Sequence, residues 1–378
     1  MSGPSPIRIA GAGPSGLAAA IALARAGRAV EVHEAKRDVG MRFIGDLQVI
    51  EGASESEPVP AFFDRIGIER NFYFRPATWA TFYDHRGTAR TIRSREPYGY
   101  FIRRGAEEGT LDRGLLAQAR ALGVDVTFNS RLAEADIIAT GPAAPDGLAR
   151  EMTWRTSDAE RVDVFFNHHL SPGGYSYLFI LDGIATFGCA IVADFKRIDD
   201  YFEHSLAAAQ ALHPFAVPGE TRTGYSYMNF HLKAVGAHSV RPLTVGEAAG
   251  FQDYLFGLGL RYAMTSGWLA AQSILEGRPF DSSALAMKQE TSLVNRFLYE
   301  AGGNFGLSMF VRRAARAKDF QRYLSGWHQR RWWKRLLSPL VHRVWRHDGR
   351  CAHRAAEHWC RARDTEMKVP PLGPAAGA

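Results

Sequence analysis

Cysteine is scarce in this chain, with Cys189, Cys351 and Cys360 the only three in 378 residues. They lie far apart or in a basic tail and lack metal-ligand spacing, which excludes a disulfide-stapled secreted fold and a zinc-type cluster. Long apolar runs are missing too. No window approaches the roughly 18 uninterrupted apolar residues of a membrane-spanning helix. The opening residues carry no basic stretch ahead of a hydrophobic segment and no cleavage site, so export is not expected. These absences predict a cytoplasmic protein that holds no metal. There is also no nucleophile elbow, which leaves no acyl-transfer machinery of that type.

The composition that remains is globular, 46% hydrophobic and 22% charged, and the length suits one large or two interlocked α/β domains. The formal charge of +7 is uneven: residues 311–363 are crowded with Arg, Lys and His, whereas the first 300 residues are near balance.

The N-terminal stretch is the most informative. Residues 7–10 form a short apolar strand that runs into Gly11-Ala-Gly13-Pro14-Ser15-Gly16. Leu17 to Ala26 then reads as a helix of small residues, Gly27 ends it, and Ala29 to His33 is a second strand closing on Glu34. The glycines allow a tight turn and a close approach to a pyrophosphate, while the helix N-terminus offers free N–H groups and a positive dipole end. Glu34 lies where a carboxylate accepts ribose hydroxyls. The order strand, glycine turn, helix, strand, acid predicts a bound dinucleotide.

A second constellation lies far along the chain. Leu243-Thr-Val-Gly246-Glu247 is followed by Gly257-Leu-Gly259-Leu260, and then by a helical stretch whose small residues include Ala263, Ser266, Gly267, Ala270 and Ala271. Between the two, Asp136 to Gly141 is an apolar strand ending in Thr-Gly. In this order the segments resemble the FAD fingerprints of the glutathione-reductase-like flavoproteins, in the branch containing para-hydroxybenzoate hydroxylase and geranylgeranyl reductase. The resemblance implies FAD as cofactor, with Glu247 in place of the family's Asp at the ribityl chain. It implies cofactor contacts at Gly11, Gly13, Pro14, Ser15, Gly16, Glu34, Ala35, Arg42, Arg104, Gly141, Gly246, Glu247, Gly257, Gly259 and Leu260. The external electron donor is left as NADPH or reduced ferredoxin.

Two stretches narrow the branch. Pro97-x-x-Tyr100-x-x-x-Arg104, then Leu111-Asp112-x-x-Leu115-Leu116-x-x-Ala119, is similar to a geranylgeranyl reductase signature with four extra residues after Arg104. Asp112 is suited to cap a helix that buries Leu115, Leu116 and Ala119. Further on, Tyr175-Ser-Tyr177-Leu-Phe179 projects three aromatics onto one face of a strand, and with Gly188-Cys189-Ala190 it resembles the family's aromatic signature and downstream glycines. The chemistry implied is flavin-borne, so no catalytic residue is assigned. Tyr175, Tyr177 and Cys189 are the candidate proton donors.

The expected fold is α/β: a Rossmann-type FAD-binding domain of the para-hydroxybenzoate hydroxylase type, an inserted β-rich substrate domain and a helical C-terminus. Residues 1–150 and 225–282 form the discontinuous FAD domain, with part of the substrate domain inserted near 42–100. Residues 151–224 form the substrate domain, 283–366 a basic helical region and 367–378 a disordered tail; Pro142 to Arg150 reads as a linker. Residues 327–346 alternate Trp, Leu and Val with Arg and Lys, a pattern that fits peripheral contact with the inner face of a membrane. Nucleic acid is not an expected partner. The resemblance implies reduction of carbon–carbon double bonds in a lipid-like, isoprenoid substrate. The alternatives are a flavin-dependent aromatic monooxygenase or halogenase, and a non-catalytic FAD-binding component of a membrane-associated complex.

Overall fold

The computed structural model describes residues 5–142, 146–228, 241–344 and 373–374. Elements are numbered along the chain. A five-stranded parallel sheet has the order β15 (Leu243–Thr244), β9 (Ile137–Ile138), β1 (Ile7–Ala10), β2 (Val30–Glu34), β8 (Asp125–Phe128). Its central strands alternate, burying Ile7, Ile9, Val30 and Val32 and turning Arg8 and Glu31 the other way. Helices α1 (Pro14–Arg25), α3 (Leu111–Ala121) and α5 (Leu260–Glu276) pack together with this sheet. The approach of α1 to α5 depends on missing side chains, since a Cβ on Gly267 would lie 2.0 Å from the Ser15 carbonyl oxygen.

Helix α3 is capped by a residue other than Asp112. Its N-cap is Thr110, whose hydroxyl accepts the Arg113 N–H at 3.3 Å, an arrangement generally worth about 1 kcal/mol. Asp112 sits inside the first turn. Its carboxylate holds Arg104 through two hydrogen bonds, 2.8 and 2.9 Å, and accepts the Gly105 N–H at 3.0 Å. Both partners of this ion pair are buried.

A larger sheet has the order β16 (Gly373–Pro374), β14 (Arg222–Met228), β10 (Gly147–Arg155), β13 (Ile184–Ile191), β12 (Tyr175–Leu181), β11 (Arg161–Phe165), β5 (Trp79–Tyr83), β6 (Ala89–Arg93). It is antiparallel except between β11 and β5. β10 begins at Gly147, inside the stretch that reads as a linker, and β14 runs on to Met228; the boundaries expected at 150 and 225 therefore fall within strands. Of the expected disordered tail, only Gly373–Pro374 are described, and they pair with β14. A small third sheet places β7 (Gly99–Arg103) between β3 (Leu47–Glu51) and β4 (Phe74–Ala77), with α2 (Val59–Ile66) following β3.

The two faces of the large sheet bury different things. On one, Leu178, Ile180, Phe187 and Cys189 pack with Ile198 and Phe202 of α4 (Ile198–Leu212). On the other, Tyr177 and Phe179 share a core with residues of the third sheet and of α7 (Gly303–Arg316) and α8 (Phe320–His328). Strand alternation alone makes this division. Helices α6 (Ser283–Ala301) and α9 (Trp332–Val344) complete the C-terminal region, and among the described residues no helix is long and apolar enough to cross a membrane.

Candidate active site

A single cavity of about 350 Å³ runs from the mouth of the parallel sheet to the second face of the large sheet. Its first end is built mostly from backbone. The chain leaves β1 through Gly11, whose φ of +105° a side chain would strain, and enters α1 at Gly13, beside which nothing lies within 4 Å of a would-be Cβ. Gly16 is needed for a different reason: its Cβ would meet the Gly11 carbonyl oxygen at 2.0 Å. Gly13, Pro14 and Ser15 therefore line the cavity while Gly11 and Gly16 shape the turn behind them. No side chain caps α1, and none caps α5, which begins at Leu260 after Gly259. Two uncapped helix N-termini thus serve one cavity, and each concentrates unpaired N–H groups and positive dipole.

Glu34 accepts the Ala12 and Lys36 N–H groups, both at 2.9 Å, so its carboxylate is fixed at the cavity edge with lone pairs to spare. Arg42 spans the mouth. Its Nη1 is 3.2 Å from Glu247 Oε2 and its Nη2 donates to the Tyr227 carbonyl at 2.7 Å. Its buried Nε has no partner among the described residues, an unmet donor of the kind an anionic ligand satisfies. Arg104 also lines the cavity, but its guanidinium is engaged by Asp112 and lies 3.9 Å above the Phe43 ring. Gly141, Glu247, Gly257, Gly259 and Leu260 line the same end. Gly246 stands behind it, its N–H donated to Ser266 Oγ and its Cα face against Ser15. Ala35 does not reach the lining.

The second end is made of side chains. Tyr175, Tyr177 and Phe179 all face it, joined by Phe82, Phe101 and Phe166. The Tyr175 hydroxyl donates to the Phe256 carbonyl at 2.8 Å, and burial pushes its ionisation well above the usual range. Cys189, by contrast, faces away. Its pairing with Ser176 puts the thiol on the α4 side of the sheet, fully buried and within reach of Ser171 and Ser205. Cys189 is therefore no proton donor to this cavity, because alternation along β13 turns it away.

Sequence reading missed three buried acids that line the cavity, Glu51, Glu151 and Asp253. Burial raises Glu51 to about 7, with Arg261 opposing. Glu151 is raised by burial first and then by Asp46, while Ser226, Tyr177 and Arg42 oppose. Glu151 carried no alternation signal: β10 reads Gly147-Leu-Ala-Arg-Glu-Met-Thr-Trp-Arg155 without strict apolar–polar alternation, and all of it but Arg150 and Arg155 is buried. The α8 residues Phe320, Leu324 and His328, which close the far end, carried no signal either.

The cradle at the first end fits a dinucleotide: uncapped helix ends, a fixed carboxylate, and an arginine with an unmet buried donor. The parallel sheet, the inserted antiparallel sheet and the helical C-terminal region together make a fold that the chain shares with solved flavin-dependent proteins. Residues 9–45 match the family described as an NAD(P)-binding Rossmann-like domain. No curated protein matches the chain. Among solved structures it is similar to a geranylgeranyl bacteriochlorophyll reductase-like protein from Thermoplasma acidophilum, with 16% identity, 90% of this chain and 98% of that one covered, and a TM-score of 0.63. It is similar to a triple mutant of the flavin-dependent brominase Bmp2 at 14% identity, coverage 89% and 98%, TM-score 0.62. It is also similar to p-nitrophenol 4-monooxygenase from Pseudomonas putida at 15% identity, coverage 88% and 100%, TM-score 0.57.

Proposed function

We propose that this chain binds FAD and uses its reduced form to saturate a carbon–carbon double bond in a hydrophobic, isoprenoid-type substrate. The observation that carries this reading is the composition of the second end, where aromatic rings from several segments enclose space contiguous with the dinucleotide cradle. Glu34 and the two helix N-termini would hold the cofactor's ribose and phosphates, with Arg42 and Glu247 closing over it. Reduced flavin supplies the hydride; the chain orients both partners and keeps water out. Tyr175, tied to the Phe256 carbonyl, fixes one wall of the substrate space.

The test is anaerobic reduction of the FAD-loaded protein followed by mass analysis of added geranylgeraniol. A gain of two hydrogens is expected. Incorporation of oxygen or halogen under air would instead assign the monooxygenase or halogenase reading. NADPH and reduced ferredoxin are compared as donors in the same assay.

We further infer that such a substrate is drawn from a membrane surface. On α9, Trp333, Leu337 and Val341 pack toward α6, while Trp332, Leu336 and Leu340 stand exposed at four-residue spacing beside Arg331, Arg335 and Arg343. An apolar stripe flanked by cations matches an interfacial helix on anionic lipid. Trp345 and Arg346, the end of the expected contact segment, lie outside the described residues. Co-sedimentation with phosphatidylserine vesicles should fall at least about fivefold in Leu336→Glu, a change of roughly 1 kcal/mol; unchanged binding refutes the contact.

A further inference from the structure

We propose that Glu151 is the acid of this cavity, holding a proton on Oε2 and delivering it to the substrate carbon that does not receive the hydride. This rests on the reductase reading above. Its basis is a row of residues across the large sheet. Strand register sets Val164, Tyr177, Gly188, Glu151 and Gly224 side by side on β11, β12, β13, β10 and β14. The missing side chain at Gly188 makes room for its neighbour's ring. A Cβ on Gly188 would lie 2.3 Å from the Tyr177 ring, so the ring lies directly over that glycine and its hydroxyl donates to Glu151 Oε1 at 3.3 Å. Ser226 on β14 donates to the same oxygen at 2.9 Å. Because both hydrogen bonds go to Oε1, that oxygen plays the carbonyl part. Oε2, without a hydrogen-bond partner among the described residues, is the one left to carry a proton.

The surroundings favour the protonated form. Glu151 is buried in a cavity wall, and its carboxyl is pushed up to about 8 by burial and by Asp46, against Ser226, Tyr177 and Arg42. The titratable and charged groups facing it are Asp46 and Arg42 from the segment before β3 and Tyr177 and Tyr175 from β12. Burial raises Asp46 as well, and two buried acids this close do not both ionise readily. Tyr177 is raised far beyond the working range by burial and by Glu151; it is a positioning residue and not itself the donor.

The step balances. The double-bond electron pair becomes the new C–H bond, the Glu151 Oε2–H bond breaks to leave a carboxylate, and the hydride with its own pair comes from reduced FAD to the other carbon. Water then restores the carboxyl proton.

The experiment pairs infrared spectroscopy with turnover on the FAD-loaded chain. At pH 6 the protein should show a carboxylic acid C=O band that titrates away near 8, disappears in Glu151→Gln, persists in Glu51→Gln and shifts in Tyr177→Phe. A spectrum of Glu151→Gln that has lost no protonated-carboxyl band overturns the proposal without reference to any substrate. With geranylgeraniol and chemically reduced protein, Glu151→Gln should bind FAD stoichiometrically yet form product at least about tenfold more slowly, within the range usual for general acid catalysis. The wild-type rate should fall above about pH 8 as the acid ionises, and that fall should vanish in the variant. Equal rates in wild type and Glu151→Gln refute the donor role. A wild type that adds no hydrogen at all refutes the reductase reading instead, and is told apart by the infrared band.

Discussion

The two ends of the cavity are built on opposite plans. The dinucleotide end is backbone: Gly11 and Gly16 shape a turn in which no side chain fits, and the helix ends of α1 and α5 present N–H groups. The substrate end is side chain: Glu151 sets its carboxyl in a wall of rings from segments far apart in sequence. A backbone site depends on where Cβ atoms are absent and so tolerates almost no substitution at those positions. A side-chain site can change its residues one at a time without losing the fold, which is how one scaffold comes to serve many chemistries.

The sharpest way to break this contrast is at Gly16. Valine there would force a Cβ to within 2.0 Å of the Gly11 carbonyl, moving the turn and with it the N-terminus of α1. FAD affinity should fall by about a hundredfold or more, roughly 3 kcal/mol, as read by flavin fluorescence quenching. The large sheet should remain folded by circular dichroism. FAD retention near the wild-type level would show that the first end does not depend on this close approach.

This difference also explains what was legible. The parallel-sheet unit could be read because Gly11, Gly13, Gly16 and Glu34 lie within a single local stretch where spacing encodes geometry. The acid at 151 could not be read in the same way. Its neighbours Tyr177, Gly188 and Ser226 come from three other strands, and only the sheet register brings them together around it. Cys189 was misplaced for the complementary reason: adjacency to Gly188 in sequence means opposite faces in a strand. Arg104 was legible as a residue of the site but not in its role, since its partner Asp112 was read as a helix cap.

The junction of the two ends rests on one buried ion pair. Arg104 and Asp112 are buried against each other, and the Arg104 backbone exchanges hydrogen bonds with the segment that carries Arg42 and Asp46, through Gly45 N–H to Arg104 O and Arg104 N–H to Asp46 O. Asp112→Asn keeps the shape but strands a buried guanidinium. Breaking such a pair costs about 3–5 kcal/mol. Urea unfolding should show a lower midpoint at unchanged slope, and both FAD affinity and geranylgeraniol turnover should fall, because the segment between the ends loses its anchor. A loss confined to one end would mean that the two are independently supported.

The smallest effect sharpens the contrast in a single variable, pH. Glu151 has a folded-state pKa of about 8 against an ordinary value of 4.5, with burial the leading cause. The folded chain therefore binds this proton more tightly than the unfolded chain does. The resulting stability is fully present below 4.5 and is lost as pH rises through 8. Glu151→Gln has no such proton to lose, so its stability relative to wild type should improve across that window by on the order of 1–3 kcal/mol, the usual cost of leaving a buried polar group unsatisfied. Urea midpoints at pH 6 and pH 9 measure it. At the cofactor mouth, by contrast, the Glu34 carboxylate is held by two backbone N–H groups. If Glu151→Gln brought no such gain, the substrate end would not be sealed from water, and the acid in its wall would have no reason to keep its proton.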